Sequence, residues 1–272
     1  MTGIWRGSAA FWAVLGLVSL LTTGAVGSPP EAVKPPSAEQ FIVIPLRVHV
    51  LSADDPSIDC KLTDADVRRI IGKVNGVWRF AGVSFGIESI VHEAAANQER
   101  FRKVRDELGA APLGLYAALL PEDSRRFRGL HVYYVHKFPV NGVYMGKDFA
   151  IVQETAALRE VAGGIDEPVP RVTSHELGHA LGLPHRQDRT NLMASGTTGT
   201  LLNSAEVATA REGAGRIDGV MSVPKCHEVA EEATNTGDEA LARRVREWIT
   251  EIEQASKHPR ATEARPAAPP ND

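Results

Sequence analysis

The chain has 272 residues, with 30 Lys plus Arg against 34 Asp plus Glu and a formal net charge of -4, a length that builds one principal core with at most a small second subdomain. Acidic and basic residues are mixed along the whole length, so there is no basic field of the kind a phosphate backbone requires, and nucleic acid is excluded as an expected partner. The composition is otherwise that of an ordinary globular protein.

In chain order, Arg6 precedes an apolar run over residues 9–21, and Ala25-Val26-Gly27 follows with small residues at the spacing of a signal-peptidase site. Residues 1–27 therefore read as an export signal, its apolar core short of the roughly 20 residues a membrane span takes. The expectation is cleavage after Gly27 and a secreted or periplasmic product, with membrane attachment only if the signal is retained as an anchor. Residues 28–40 are rich in proline with little to pack, and are expected to form a tether.

Ile44, Leu46, Val48 and Val50 alternate with Pro45, Arg47 and His49, the period of a strand, predicted over 41–51. Thr63 three residues ahead of Asp66 marks a helix start, and Val67, Ile70, Ile71, Val74 and Val77 recur at helical spacing, predicting a helix over 64–81. Further strands are expected over 83–91 and 130–138, the second buried on both faces. Residues 97–108, dense in charge, form a solvated helix or a surface insertion between them. Asn141-Gly142 signals a turn, with short strands over 143–149 and 150–153.

A connection over 163–170 then enters a helix over 172–181. Asn203 with Glu206 marks a later helix start, and Leu241, Val245, Trp248, Ile249 and Ile252 give a helix over 238–254 one apolar face. Residues 257–272, rich in Pro and Ala, read as a disordered tail. Cys60 and Cys226 are the only cysteines; in an oxidising compartment they pair, or else they are two buried thiols, and the sequence leaves both open.

The chemistry is concentrated in His175-Glu176-Leu177-Gly178-His179-Ala180-Leu181-Gly182-Leu183-Pro184-His185. Two histidines four apart share one helix face, so their rings can converge on one ion. Gly182 ends the helix at no conformational cost and Pro184 prevents its resumption, so the chain turns and His185 can come round as a third ligand. Three neutral imidazoles with one open position suit a catalytic Zn²⁺, and Glu176 beside the first of them suits a general base acting on water.

At these residues the chain resembles the metzincins, whose extended zinc motif is followed by a methionine-containing turn; Asn191-Leu192-Met193-Ala194-Ser195 matches that turn. The resemblance implies an α+β, zincin-like fold: a twisted, mostly parallel N-terminal sheet with two main helices, an active-site helix, and a small irregular C-terminal subdomain holding the Met-turn and a helix. It implies a catalytic domain over 41–225 followed by a helical extension over 226–256. It also implies metal ligation by His175, His179 and His185, catalysis by Glu176, structural roles for Gly182 and Met193, and zinc-dependent endopeptidase activity on a protein or peptide in extended conformation. In the family the substrate adds as a strand to the sheet edge, which by position is 143–149. Two departures stand out: Ser195 occupies the place of an additional tyrosine ligand, and Arg186 follows the third histidine. The reading from another class is a non-catalytic secreted binding module that keeps zinc as a staple. The remaining six histidines are given no catalytic role.

Overall fold

The computed structural model describes residues 36–257 except 110, 127, 128 and 147. The expected signal, most of the tether and nearly all of the expected tail lie outside the described residues. Residues 37–40 of the expected tether form a short 3-10 turn capped by Ser37, and Arg211 Nη2 donates to the Gln40 carbonyl at 2.9 Å. Lys257 is the last residue of a helix rather than the first of a tail.

The architecture is mixed α+β with a mainly parallel sheet. The strands are β1 (Ile42–Ser52), β2 (Val83–Ala94), β3 (Leu130–Val135), β4 (Gly142–Tyr144), β5 (Phe149–Gln153) and the two-residue β6 (Met221–Ser222). Their order is β2-β1-β3-β5-β4, with β6 pairing the start of β1. β1 is parallel to β2 and β3, and β3 to β5; β4 runs antiparallel to β5 and, among the described residues, has a strand neighbour on one side only.

The helices are α1 (Asp64–Trp78), α2 (Gln98–Leu108), α3 (Leu113–Tyr116), α4 (Pro168–Ala180), α5 (Ser204–Ala214), α6 (Val223–Thr236) and α7 (Glu239–Lys257). α1 begins where the sequence places it, with Thr63 and Asp66 in a reciprocal capping box, and ends in a 3-10 turn closed by Gly82 at φ +64°. Its Val67, Ile70, Ile71 and Val74 are fully buried, each contributing roughly 1.5–3 kcal/mol of apolar transfer. α4 starts four residues earlier than the sequence reading: Pro168 and Pro170 sit in its first turn, where a missing N–H and fixed φ cost nothing.

The edge strand is shorter than expected. Gly146 and Asp148 both stand at φ +71° and the Met145 N–H donates to the Phe149 carbonyl at 3.0 Å, so only Gly142–Tyr144 remains as strand before Phe149 joins β5.

Alternation along β3 divides the core. Val132 and Tyr134 face a cluster shared with α1 and α4, while Tyr133 and Val135 face one built with Phe101, Tyr116 and Leu119. The strand is buried on both faces, as its continuous apolar content requires. α6 and α7 form a third cluster with Phe41 and Val43, and Trp248 lies against β2, where a Cβ on Gly86 would meet its ring at 2.5 Å. The sequence reading lacked α3 and α6 as separate elements. Cys60 and Cys226 are free and buried in different clusters, not paired.

Candidate metal centre

α4 is buried from Val169 to Gly178 and carries His175 and His179 one turn apart. Its end is a Schellman motif: Gly182 N–H donates to the His179 carbonyl and Leu183 N–H to the Gly178 carbonyl, at 3.0 and 2.9 Å, with Gly182 at φ +88°. The reversed chain then delivers His185. His179 Nε2 lies 3.2 Å from His175 Nε2 and 3.2 Å from His185 Nε2.

The second nitrogens decide what this cluster can do. His175 Nδ1 is 2.9 Å from the Leu192 carbonyl and His179 Nδ1 is 2.8 Å from the Leu183 carbonyl. A carbonyl only accepts, so both Nδ1 atoms carry the proton and both Nε2 atoms present a lone pair. Two lone pairs 3.2 Å apart repel unless a cation lies between them. Nitrogens bound at 2.0–2.1 Å to a tetrahedral zinc lie about 3.3 Å apart, so both of these separations match what such an ion imposes. Burial, first among the causes, holds His175 at about 3 and His179 below the ordinary imidazole value, which keeps the rings neutral, as ligands must be. Among the described residues, these three are the group of His, Cys, Asp or Glu side chains placed to hold an ion.

Glu176 is 5 % exposed. Burial pushes its carboxyl up to about 7, against the pull of the Tyr144 backbone N–H and of Arg171; a cation nearby would favour the charged form and draw it down. The edge strand approaches Glu176 closely because residue 142 has no side chain. A Cβ there would stand 2.6 Å from Val172 Cγ1 and 3.0 Å from Glu176 Cγ. Gly178 plays the same part below the histidines, where a Cβ would meet the fully buried Met193 Sδ at 2.6 Å.

A cleft of about 880 Å³ opens along β4 and ends at these groups. Beside the histidines and Glu176, its lining is largely apolar, with Leu113, Val140, Val143, Leu158 and Val172.

No protein-family profile and no curated protein matches the sequence. A structural likeness exists to metalloproteinase-II from Bacteroides fragilis, at a TM-score of 0.37 and 14 % identity, over 68 % of this chain and 55 % of that one. The chain thus spans little more than half the length of that protein, and a likeness this slight carries no argument; the geometry above stands by itself.

Three groups around the histidines have roles that the sequence reading missed. Arg171, one turn before His175 and 1 % exposed, donates to the carbonyls of Gly199, Ala194 and Asn191 at 3.0, 2.5 and 3.3 Å. It thereby ties α4 to the methionine turn. Its Nη1 also lies 3.1 Å from His175 Nδ1, and since that nitrogen gives its proton to Leu192, the contact sets two N–H groups together and further disfavours a charged imidazole. Gly142 and Glu206 are the others. The i, i+4 spacing of Arg171 and His175 was the one available signal for these roles; local pattern marked Glu206 only as the partner of Asn203 at a helix start and Gly142 only as a turn residue.

A second histidine group lies across β2, β1 and β3. His49 Nδ1 is 2.8 Å from Glu93 Oε1 and His49 Nε2 is 2.9 Å from His131 Nδ1, with Tyr133 stacked 4.2 Å from the His49 ring.

Proposed function

We propose that the protein is an exported zinc-dependent endopeptidase of the metzincin type, with His175, His179 and His185 holding the ion and Glu176 as general base. The observation that carries this reading is the convergence of three imidazole Nε2 atoms whose Nδ1 partners, where defined, leave lone pairs facing one another, with a buried carboxylate on the next residue. Held there, zinc supplies Lewis acidity, lowering the pKa of water toward about 7 and polarising a carbonyl oxygen.

The chain's own groups do the rest. A substrate strand lies along the free side of β4, adding backbone hydrogen bonds to the sheet, and the apolar cleft walls order its side chains and exclude bulk water. Glu176 takes a proton from water as the oxygen attacks the peptide carbonyl, then delivers it to the amide nitrogen as the C–N bond breaks; the second water proton passes to the amine, leaving a carboxylate and an ammonium group. The Tyr144 N–H and the close-packed Gly142 hold the carboxylate under the edge strand. Met193 packs beneath the helix as a fixed floor.

Export is inferred from residues 1–27 of the sequence; among the described residues no helix is long and apolar enough to cross a membrane. The test of the function is hydrolysis of an unfolded protein by the purified chain. Activity lost on chelation, restored by zinc, and abolished by Glu176→Gln with metal content unchanged supports the reading. Full metal occupancy with no cleavage of any protein or peptide supports the zinc-stapled binding module instead.

A further inference from the structure

The first two ligands ride on a buried helix, but the third does not. His185 is exposed and sits in irregular chain beyond Gly182, so its direction depends on whatever fixes the path of residues 185–194. Beside the Arg171 bonds to the Asn191 and Ala194 carbonyls, one buried carboxylate reaches both ends of that path. Glu206, 2 % exposed in the first turn of α5, accepts from Arg186 Nε at 2.6 Å through Oε1, and from Asn191 Nδ2 at 2.8 Å and the Asn203 N–H at 2.9 Å through Oε2.

Both ends of the ligand loop meet at this group. Arg186 is the residue next to His185, and its own N–H donates to the Met193 carbonyl at 2.9 Å. Asn191 in turn accepts the Met193 N–H at 2.7 Å through Oδ1. Burial alone would raise the Glu206 carboxyl; the bonds from Asn203, Asn191 and Arg186 outweigh it and hold the group below the usual carboxylate range. An ionised, fully bonded acid is a stiff anchor, because each of its donors loses a charge-assisted bond if it moves.

We propose that Glu206, acting through Arg186 and Asn191, is a positioning residue that sets His185 toward the other two imidazoles. The unusual arginine after the third histidine is then the near half of that device. A plain helix cap is the competing role for Glu206, since it also closes the reciprocal box with Asn203. A cap has no need of the bonds to Arg186 and Asn191, which reach away from α5 into the ligand loop.

The proposal rests on the metal reading of the three histidines, and its test separates the two. Glu206→Gln keeps the shape but turns an amide NH₂ toward a donor, and Arg186→Gln removes the near contact on a half-exposed side chain. In the metal-free protein, hydrogen exchange at the amides of Arg186 and Leu192–Ala194 is expected to rise in both variants. Zinc affinity, read by chelator competition, is expected to fall 10- to 100-fold, the range for groups that orient ligands. Ile249→Ala, in the remote α7 cluster, serves as a control that lowers stability without loosening the loop. If both variants keep native exchange at those amides, or if Ile249→Ala reproduces their loss of affinity at equal loss of stability, the positioning role is overturned. If the unaltered chain takes up no zinc while loop exchange still rises in Glu206→Gln, the metal reading fails and the anchoring of His185 stands.

Discussion

The row Glu93–His49–His131 and the group His175–His179–His185 are built from the same materials and have opposite requirements. In the row, His131 Nδ1–H can donate to His49 Nε2 while His49 Nδ1–H donates to Glu93, at 2.9 and 2.8 Å. Both of these contacts pair a donor with an acceptor, burial keeps His49 neutral, and no ion is called for. In the other group the protons of His175 and His179 go outward to backbone carbonyls, and what remains between the rings is unshielded lone-pair density. Proximity of histidines is therefore not what marks a metal site. The destination of each ring's second nitrogen is.

The sharpest way to break this comparison is to remove one ring from each group. His179→Ala is expected to lower zinc affinity by well over the roughly 100-fold typical of residues that only orient ligands, whereas His49→Ala leaves zinc stoichiometry and affinity as they are; competition with a chromogenic chelator measures both. Next in size is Gly142→Ala. Its methyl group is accommodated only by lifting β4 from Val172 and Glu176, and a displacement near 1 Å at reacting groups costs about 10²-fold in rate. Turnover of an unfolded protein substrate should fall by that order while metal content holds.

His49→Ala has its own effect, on stability. It removes a hydrogen-bond partner from buried His131 and half-buried Glu93 and is expected to cost about 1–3 kcal/mol in urea unfolding. The same substitution sharpens the account through pH. Burial first, then the charges of His131 and Arg47, hold His49 at about 3 against an ordinary 6.5. The unfolded chain takes up a proton there before the folded one does, so folding stability falls as pH drops from about 6.5 toward 3, at most ~1.4 kcal/mol per pH unit for one group. Metal-free His49→Ala should show a shallower acid decline than the unaltered metal-free protein, with His175 contributing to what remains.

Much of the frame was legible because it rests on local rules. The period-two run of β1, the Thr63 and Asn203 caps, the turn chemistry of Gly182 and the apolar stripe of α7 each follow from neighbouring residues. The histidine cluster was legible for the same reason, since helix geometry plus one reversal of the chain brings its three rings together. What escaped depends on distant segments. Glu206 meets Arg186 across 20 residues, His49 meets His131 across 82, and the need for glycine at 142 arises only when α4 slides beneath β4. The early start of α4 was missed for a different reason: two prolines were taken as loop residues where they serve as the first turn of the helix.

Metal content of the purified chain is the most direct measurement of the central claim. Isolated without chelators, or loaded with zinc and freed of excess by gel filtration, the chain is expected to carry one zinc ion by elemental analysis. His175→Ala, His179→Ala and His185→Ala should each lose it while remaining folded. A natively folded chain that stays metal-free after loading, or whose zinc survives all three substitutions, would contradict the account.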